Sequence, residues 1–134
     1  MSCFIDSNIF IAFAEKRDER HGEAVELLRR TLQEKEFGTP YFSDYVFDEC
    51  ITFLYSRLHD KQKSVKLGDF LRASQFECIY TGPNEFEKSW QLFKKSQGLS
   101  FTDCTIIEVM KTHGIENLIS FDSGFDKQGI KRVF

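Results

Sequence analysis

Cys3-Phe4-Ile5-Asp6-Ser7-Asn8 opens the chain with an apolar strand that stops on a carboxylate and turns at once into the helical stretch Ile9 to Glu15. In an open α/β sheet, ligands bind in the crevice beyond the carboxyl ends of the parallel strands, so a strand ending in Asp aims a charge into that crevice. Asp6 is therefore the first candidate functional residue. The same position also suits a helix N-cap, where the Asp side chain accepts a backbone N–H of the first turn. What separates the two roles is whether other carboxylates reach the same edge.

Outward from this stretch, short apolar runs alternate with helical periodicity. Asp18 to Glu36 reads as a helix, with Ala24, Leu27, Leu28 and Leu32 on one face. Gly38-Thr39-Pro40 interrupts it, and Tyr41-Phe42 is too short to assign to a strand by pattern. The next helix, Asp44 to about Leu58, carries a polar stripe at i+4 spacing: Asp44, Asp48, Thr52 and Ser56. Glu49 lies off that stripe, in line with Phe42, Val46 and Phe53 at the border of the apolar face. A carboxylate there is costly unless it meets water, a partner or a metal. Helical side chains lean toward the N-terminus, so Glu49 can reach back toward the helix start; a Glu snorkelling to solvent would give the same pattern.

Lys61 to Ser74 follows as a helix with Val65, Leu67, Phe70 and Leu71 inward, then Phe76 to Tyr80 as a strand. Pro83 or Asn84 to Ser96 is expected to be a helix burying Phe86, Trp90 and Phe93. Ser100-Phe101-Thr102-Asp103 leads into a helix whose apolar positions are Ile106, Ile107, Val109 and Met110, with Asp103 heading the inward stripe. Ser100 and Asp103 also have the spacing of a capping box. Asn117 to Asp122 is a second short apolar strand ended by Asp, Ser123 to Asp126 a turn, and Ile130 to Phe134 a last strand.

The alternation predicts a mainly parallel sheet flanked by helices. Crossover helices then run antiparallel to the strands, which puts helix N-termini at the edge where the strands end. Asp6 and Asp122 end strands, Asp103 starts a helix, and Glu49 points back toward the start of another. Four carboxylates gathered at one edge repel one another unless a cation sits among them. Oxygen donors without His or Cys suit hard ions, Mg²⁺ or Mn²⁺.

Composition narrows the class. The 134 residues suffice for one domain with its own core. No apolar run approaches a bilayer span, and the start lacks a basic segment before its apolar run, so a cytoplasmic protein is expected. The four cysteines, Cys3, Cys50, Cys78 and Cys104, are scattered among apolar neighbours with no Cys-x-x-Cys pair, as free buried thiols would be. The net charge of −3 disfavours a nucleic-acid partner at face value. A metal bound by several acids offsets that charge, and Lys61, Lys63, Lys66, Arg72, Lys94, Lys95, Lys127, Lys131 and Arg132 can keep other surfaces basic.

Taken together, Phe4-Ile5-Asp6-Ser7-Asn8, Glu49, Ser100-Phe101-Thr102-Asp103 and Ser120-Phe121-Asp122-Ser123-Gly124-Phe125-Asp126 make the chain similar to PIN domains, and among them to the short VapC-type toxin ribonucleases. The resemblance runs over essentially the whole length. It implies a PIN-like three-layer fold with strand order 3-2-1-4-5, a Mg²⁺ or Mn²⁺ cluster on Asp6, Glu49, Asp103 and Asp122, and hydrolysis of single-stranded RNA. It further implies supporting roles for Asn8 and Ser120, a place for Asp126 beside the metal in some members, a homodimer, and a small antitoxin partner. A processing or ribosome-maturation nuclease and a non-catalytic binding module remain as alternatives. A haloacid-dehalogenase-type phosphotransferase, which needs a second Asp two residues after the first, meets Asn8 there instead.

Overall fold

A computed structural model describes all residues, Met1–Phe134. The chain runs β1 (Ser2–Ile5), α1 (Ser7–Ala14), α2 (His21–Arg29), β2 (Thr39–Ser43), α3 (Asp44–Thr52), α4 (Lys61–Ala73), β3 (Glu77–Ile79), α5 (Pro83–Lys95), α6 (Phe101–His113), β4 (Asn117–Ile119) and β5 (Lys131–Val133). Helix α2 runs on as a π-helical turn, Arg30–Glu34, and α3 as another, Phe53–Arg57; a 3₁₀ turn, Ser123–Gln128, separates β4 from β5. None of the helices is long and apolar enough to cross a membrane.

All neighbouring strands pair in parallel, in the order β3-β2-β1-β4-β5. Strands buried on both faces read as continuous apolar runs: Cys3, Phe4 and Ile5 of β1 and Leu118 and Ile119 of β4 are wholly buried. The chain steps one way from β1 to β3 and the other way from β4 to β5. Right-handed crossovers therefore place α1 to α4 on one face and α5 with α6 on the other. The direction reverses between β1 and β4, the switch point where a ligand crevice opens in such sheets.

Several expectations need correction. Thr39–Ser43 is a full strand between β1 and β3; Pro40 within it is registered with Cys3, so the pairing comes from neighbours and not from local propensity. The β4 strand ends at Ile119, and Asp122 lies three residues beyond it. Helix α4 turns Ser64, Leu67, Gly68 and Leu71 inward and leaves Val65 exposed. The inward choice follows close packing, since a Cβ on Gly68 would sit 3.3 Å from Ile51 Cδ1 of α3. Finally, Phe86, Trp90 and Phe93 are not buried: they remain 46, 45 and 38 % exposed. Helix α5 turns small Ser89 inward and rests its aromatic stripe around Phe101, ring centroids 5.5 to 6.4 Å away.

Candidate functional site

Asp6 sits at the switch point. Its carboxylate caps α1, Oδ1 accepting the Ser7 backbone N–H at 2.7 Å, while Oδ2 accepts the Ser120 hydroxyl at 2.7 Å and the Asn8 side-chain amide at 3.3 Å. The capping role and the functional role therefore coexist in one side chain. Asn8 Nδ2 also donates to Ser120 Oγ at 3.2 Å, and Asn8 Oδ1 accepts the Phe121 N–H at 3.2 Å. Ser120 Oγ in turn accepts the Asp122 N–H at 3.0 Å. Two residues from β1's exit and one from β4's thus form a single polar lattice linking Asp6 to Asp122.

Glu49 reaches the same lattice through a residue that sequence reasoning passed over. Ser7 Oγ donates to Glu49 Oε1 and lies 3.4 Å from Asp6 Oδ1, so one hydroxyl spans two carboxylates that are 43 positions apart in the chain. Its signal was present in Asp6-Ser7-Asn8, but a Ser in a first helical turn has no distinguishing pattern. Asp103 completes the predicted capping box: Oδ2 accepts the Ser100 N–H and Ser100 Oγ accepts the Asp103 N–H, each at 3.0 Å. Asp122 caps the 3₁₀ turn through Oδ1 to the Gly124 N–H at 2.8 Å.

Burial pushes the Asp6 carboxyl up to about 7; hydrogen bonds from Ser120 and Ser7 oppose the rise, and the charges of Asp103 and Glu49 add to it. Asp103 is raised as well, chiefly by burial and in part by Asp122. These mutual repulsions tie Asp6, Glu49, Asp103 and Asp122 into one electrostatic group. No Lys or Arg pairs with any of the four. Glu49 Oε2, Asp103 Oδ1 and Asp122 Oδ2 accept no hydrogen bond, which leaves each acid one oxygen for another donor. The donor set suits a hard divalent cation, although no three of these groups are arranged as a closed ligand cage. Asp126 stands apart, both its oxygens taken by Arg132 at 2.8 and 3.0 Å, and that guanidinium holds its carboxyl below the usual range. Arg132 also donates to the Ser120 carbonyl at 3.2 Å.

The profile of the PIN domain family matches residues 3–131, the span that builds this five-stranded parallel sheet. The chain belongs to that family. Among characterised members it is similar to the 23S rRNA-specific endonuclease VapC20 of Mycobacterium tuberculosis, 25 % identical over 134 residues, 97 % of this chain and 96 % of that one. The crystal structure of that protein, described as a sarcin-ricin loop cleaving toxin, superposes with a TM-score of 0.85 at 23 % identity over 98 % of both chains. The fold also matches VapBC2 of Rickettsia felis bound to a promoter DNA fragment, TM-score 0.68 at 17 % identity, covering 99 % of this chain and 98 % of that one. A toxin-antitoxin complex of Klebsiella pneumoniae matches with a TM-score of 0.65 at 21 % identity, covering 98 % and 96 %.

Proposed function

We propose that the chain is a divalent-metal-dependent endoribonuclease, the toxin of a toxin-antitoxin pair, and that Asp6, Glu49, Asp103 and Asp122 hold Mg²⁺ or Mn²⁺. The observation that carries this reading is the hydrogen-bonded lattice that gathers Glu49 and Asp122 around buried Asp6, with no salt bridge to any of these carboxylates or to Asp103. Such a group is unfavourable unless a cation completes it, since the backbone N–H groups that Asp6, Asp103 and Asp122 cap carry no full charge to offset theirs. A divalent ion held there would polarise the phosphoryl group and lower the pKa of a bound water, supplying a nucleophile at neutral pH.

The chain's own residues do the orienting. Ser120 and Asn8 fix Oδ2 of Asp6, the Ser7 N–H fixes Oδ1, and the Ser7 hydroxyl holds Glu49 toward Asp6. Partners of this kind set the direction of a ligating carboxylate and are worth about 10–100-fold in metal affinity or activity. Asp126 is assigned to Arg132 and left out of the metal set. Likeness to VapC20 over nearly the full length of both chains favours ribosomal RNA, cut in a single-stranded stretch, as the substrate class, and likeness to a toxin-antitoxin complex favours an antitoxin as partner; a homodimer in the cytoplasm completes the proposal.

The test is cleavage of RNA, including ribosomal RNA fragments, with Mg²⁺ or Mn²⁺ supplied. Cleavage should vanish with a chelator, return on adding metal, and vanish again in Asp6→Asn and Asp103→Asn proteins that retain the native circular dichroism. Cleavage that persists in both variants would overturn the metal-site assignment. Association with RNA without cleavage under any metal would favour a non-catalytic module.

A further inference from the structure

The polar stripe of α3 has no part in the carboxylate lattice, yet it lines a groove of about 330 Å³ that shares Glu49 with it. The groove is walled by Asp48, Thr52, Phe53, Ser56 and Arg57 on one side and by Thr102 of α6 on the other. Of the four acids, Glu49 lines the groove itself, and Thr102 immediately precedes Asp103 in the chain.

The backbone of α3 changes here in a way that orders this wall. Residues four apart overshoot a full turn in an α-helix, at 3.6 residues per turn. They fall short of one in a wider π-helical turn with i→i+5 bonding. Glu49 to Phe53 is an α step and Phe53 to Arg57 is a π step, closed by the Leu58 N–H on the Phe53 carbonyl at 3.3 Å. The overshoot and the shortfall offset each other. Glu49, Phe53 and Arg57 consequently line up more closely, where an unbroken α-helix would have carried Arg57 about 80° round the axis from Glu49. π-helical turns of this kind concentrate at functional sites.

Charge points the same way. Of the seven arginines, Arg17, Arg20, Arg29, Arg30 and Arg132 pair with carboxylates. Arg57 does not, although Asp48 lines the same groove; Asp48 Oδ1 instead accepts the Thr52 hydroxyl at 3.2 Å. The groove therefore runs from an acidic inner end to a cationic outer end about 12 Å further along the helix axis, at roughly 1.5 Å per residue. A polymer of phosphodiesters lying across the carboxylates would leave by this groove. Its next phosphates would move from the acids toward a guanidinium that has no carboxylate partner and lies over the Phe53 ring, 6.0 Å from its centroid.

We infer that the groove is a substrate subsite, in which Arg57 binds a backbone phosphate of the RNA beside the scissile one, with the Ser56 and Thr102 hydroxyls as further donors and the Phe53 ring against the sugar or base. This rests on the ribonuclease reading above. Arg57 acts on binding, through charge-assisted hydrogen bonds to phosphate that a lysine reproduces in charge and not in geometry.

Fluorescence anisotropy of a labelled RNA oligonucleotide, in chelator so that nothing is cut, tests the assignment across a salt series. Arg57→Gln should weaken binding about tenfold and flatten the slope of log K against log salt by about 0.7, the value for one phosphate on a single strand. Arg57→Lys should keep the wild-type slope. Arg72→Gln, which removes the other unpaired arginine on α4, should change neither. Unchanged affinity and slope in Arg57→Gln, or an equal loss in Arg72→Gln, would overturn the subsite while metal-dependent cleavage by the wild type left the ribonuclease reading standing. A wild type that neither binds nor cuts RNA would sink both.

Discussion

Asn in place of Asp6 should stabilise the metal-free protein relative to wild type as pH rises, a reversal of what removing a hydrogen-bonded carboxylate usually does. The Asp6 carboxyl is pushed from 3.8 to about 7 in the fold. With the folded pKa above the unfolded one, the native state keeps a proton that the unfolded chain has already released. No penalty exists below about pH 4; it grows as pH rises and levels off above about 7. At about 1.4 kcal/mol per unit, the full penalty is about 4 kcal/mol, and about 3 kcal/mol of it develops between roughly pH 4.5 and 7.5.

The substitution has its own fixed cost. One Asn side-chain nitrogen must replace an acceptor that now serves Ser7 or serves Ser120 and Asn8, worth about 1–3 kcal/mol. That cost does not depend on pH, so the informative quantity is the change in the stability difference and not its sign at one pH. Urea unfolding of both proteins in chelator at the two pH values measures it. The difference should move by about 3 kcal/mol in favour of Asp6→Asn between them. A difference that stays constant, or moves toward wild type, would show that Asp6 is comfortably ionised without a metal and would remove the reason for expecting a cation. Adding Mn²⁺ at the higher pH should restore the wild type and leave the variant unmoved, since only the wild type gains binding energy in the folded state.

Two further outcomes follow from neighbouring residues. Ser120→Ala removes the donor to Asp6 and the acceptor for the Asp122 N–H; RNA cleavage should fall about 10–100-fold with Mn²⁺ affinity by calorimetry falling in parallel, and unchanged affinity would argue that Ser120 only closes the strand end. Gly38→Ala forces a Cβ to within 2.0 Å of the Met1 carbonyl at a φ of +80°. It should lower stability by at least about 1–2 kcal/mol in denaturant titration, and a near-neutral result would contradict the tight approach of the Met1 carbonyl to the residue that precedes β2.

Much of this arrangement is legible in the sequence. Asp6 and Asp103 were placed by local rules, because a strand end and a capping box are defined by a few adjacent residues, and both carboxylates do cap. Glu49 was found by helical periodicity, which the α-helical part of its segment obeys. Asp122 was found with its strand drawn too long: β4 stops at Ile119, since pairing with β1 and β5 ends there and Ser120 turns its hydroxyl to Asp6 instead. The aromatic stripe of α5 was read as core because periodicity says which residues share a face and nothing about what that face meets; it meets Phe101 and then solvent.

The alternation of apolar runs and amphipathic stretches was enough, on its own, to set a parallel sheet with its acids at the carboxyl edge, because that edge is dictated by chain direction and crossover handedness. Folding in three dimensions decided which oxygen faces which donor. That Ser7 joins Glu49 to Asp6 and that Ser120 joins Asp6 to Asp122 both depend on contacts between distant segments. Such contacts are settled by packing distances of a few tenths of an ångström, and no local pattern in the chain encodes them.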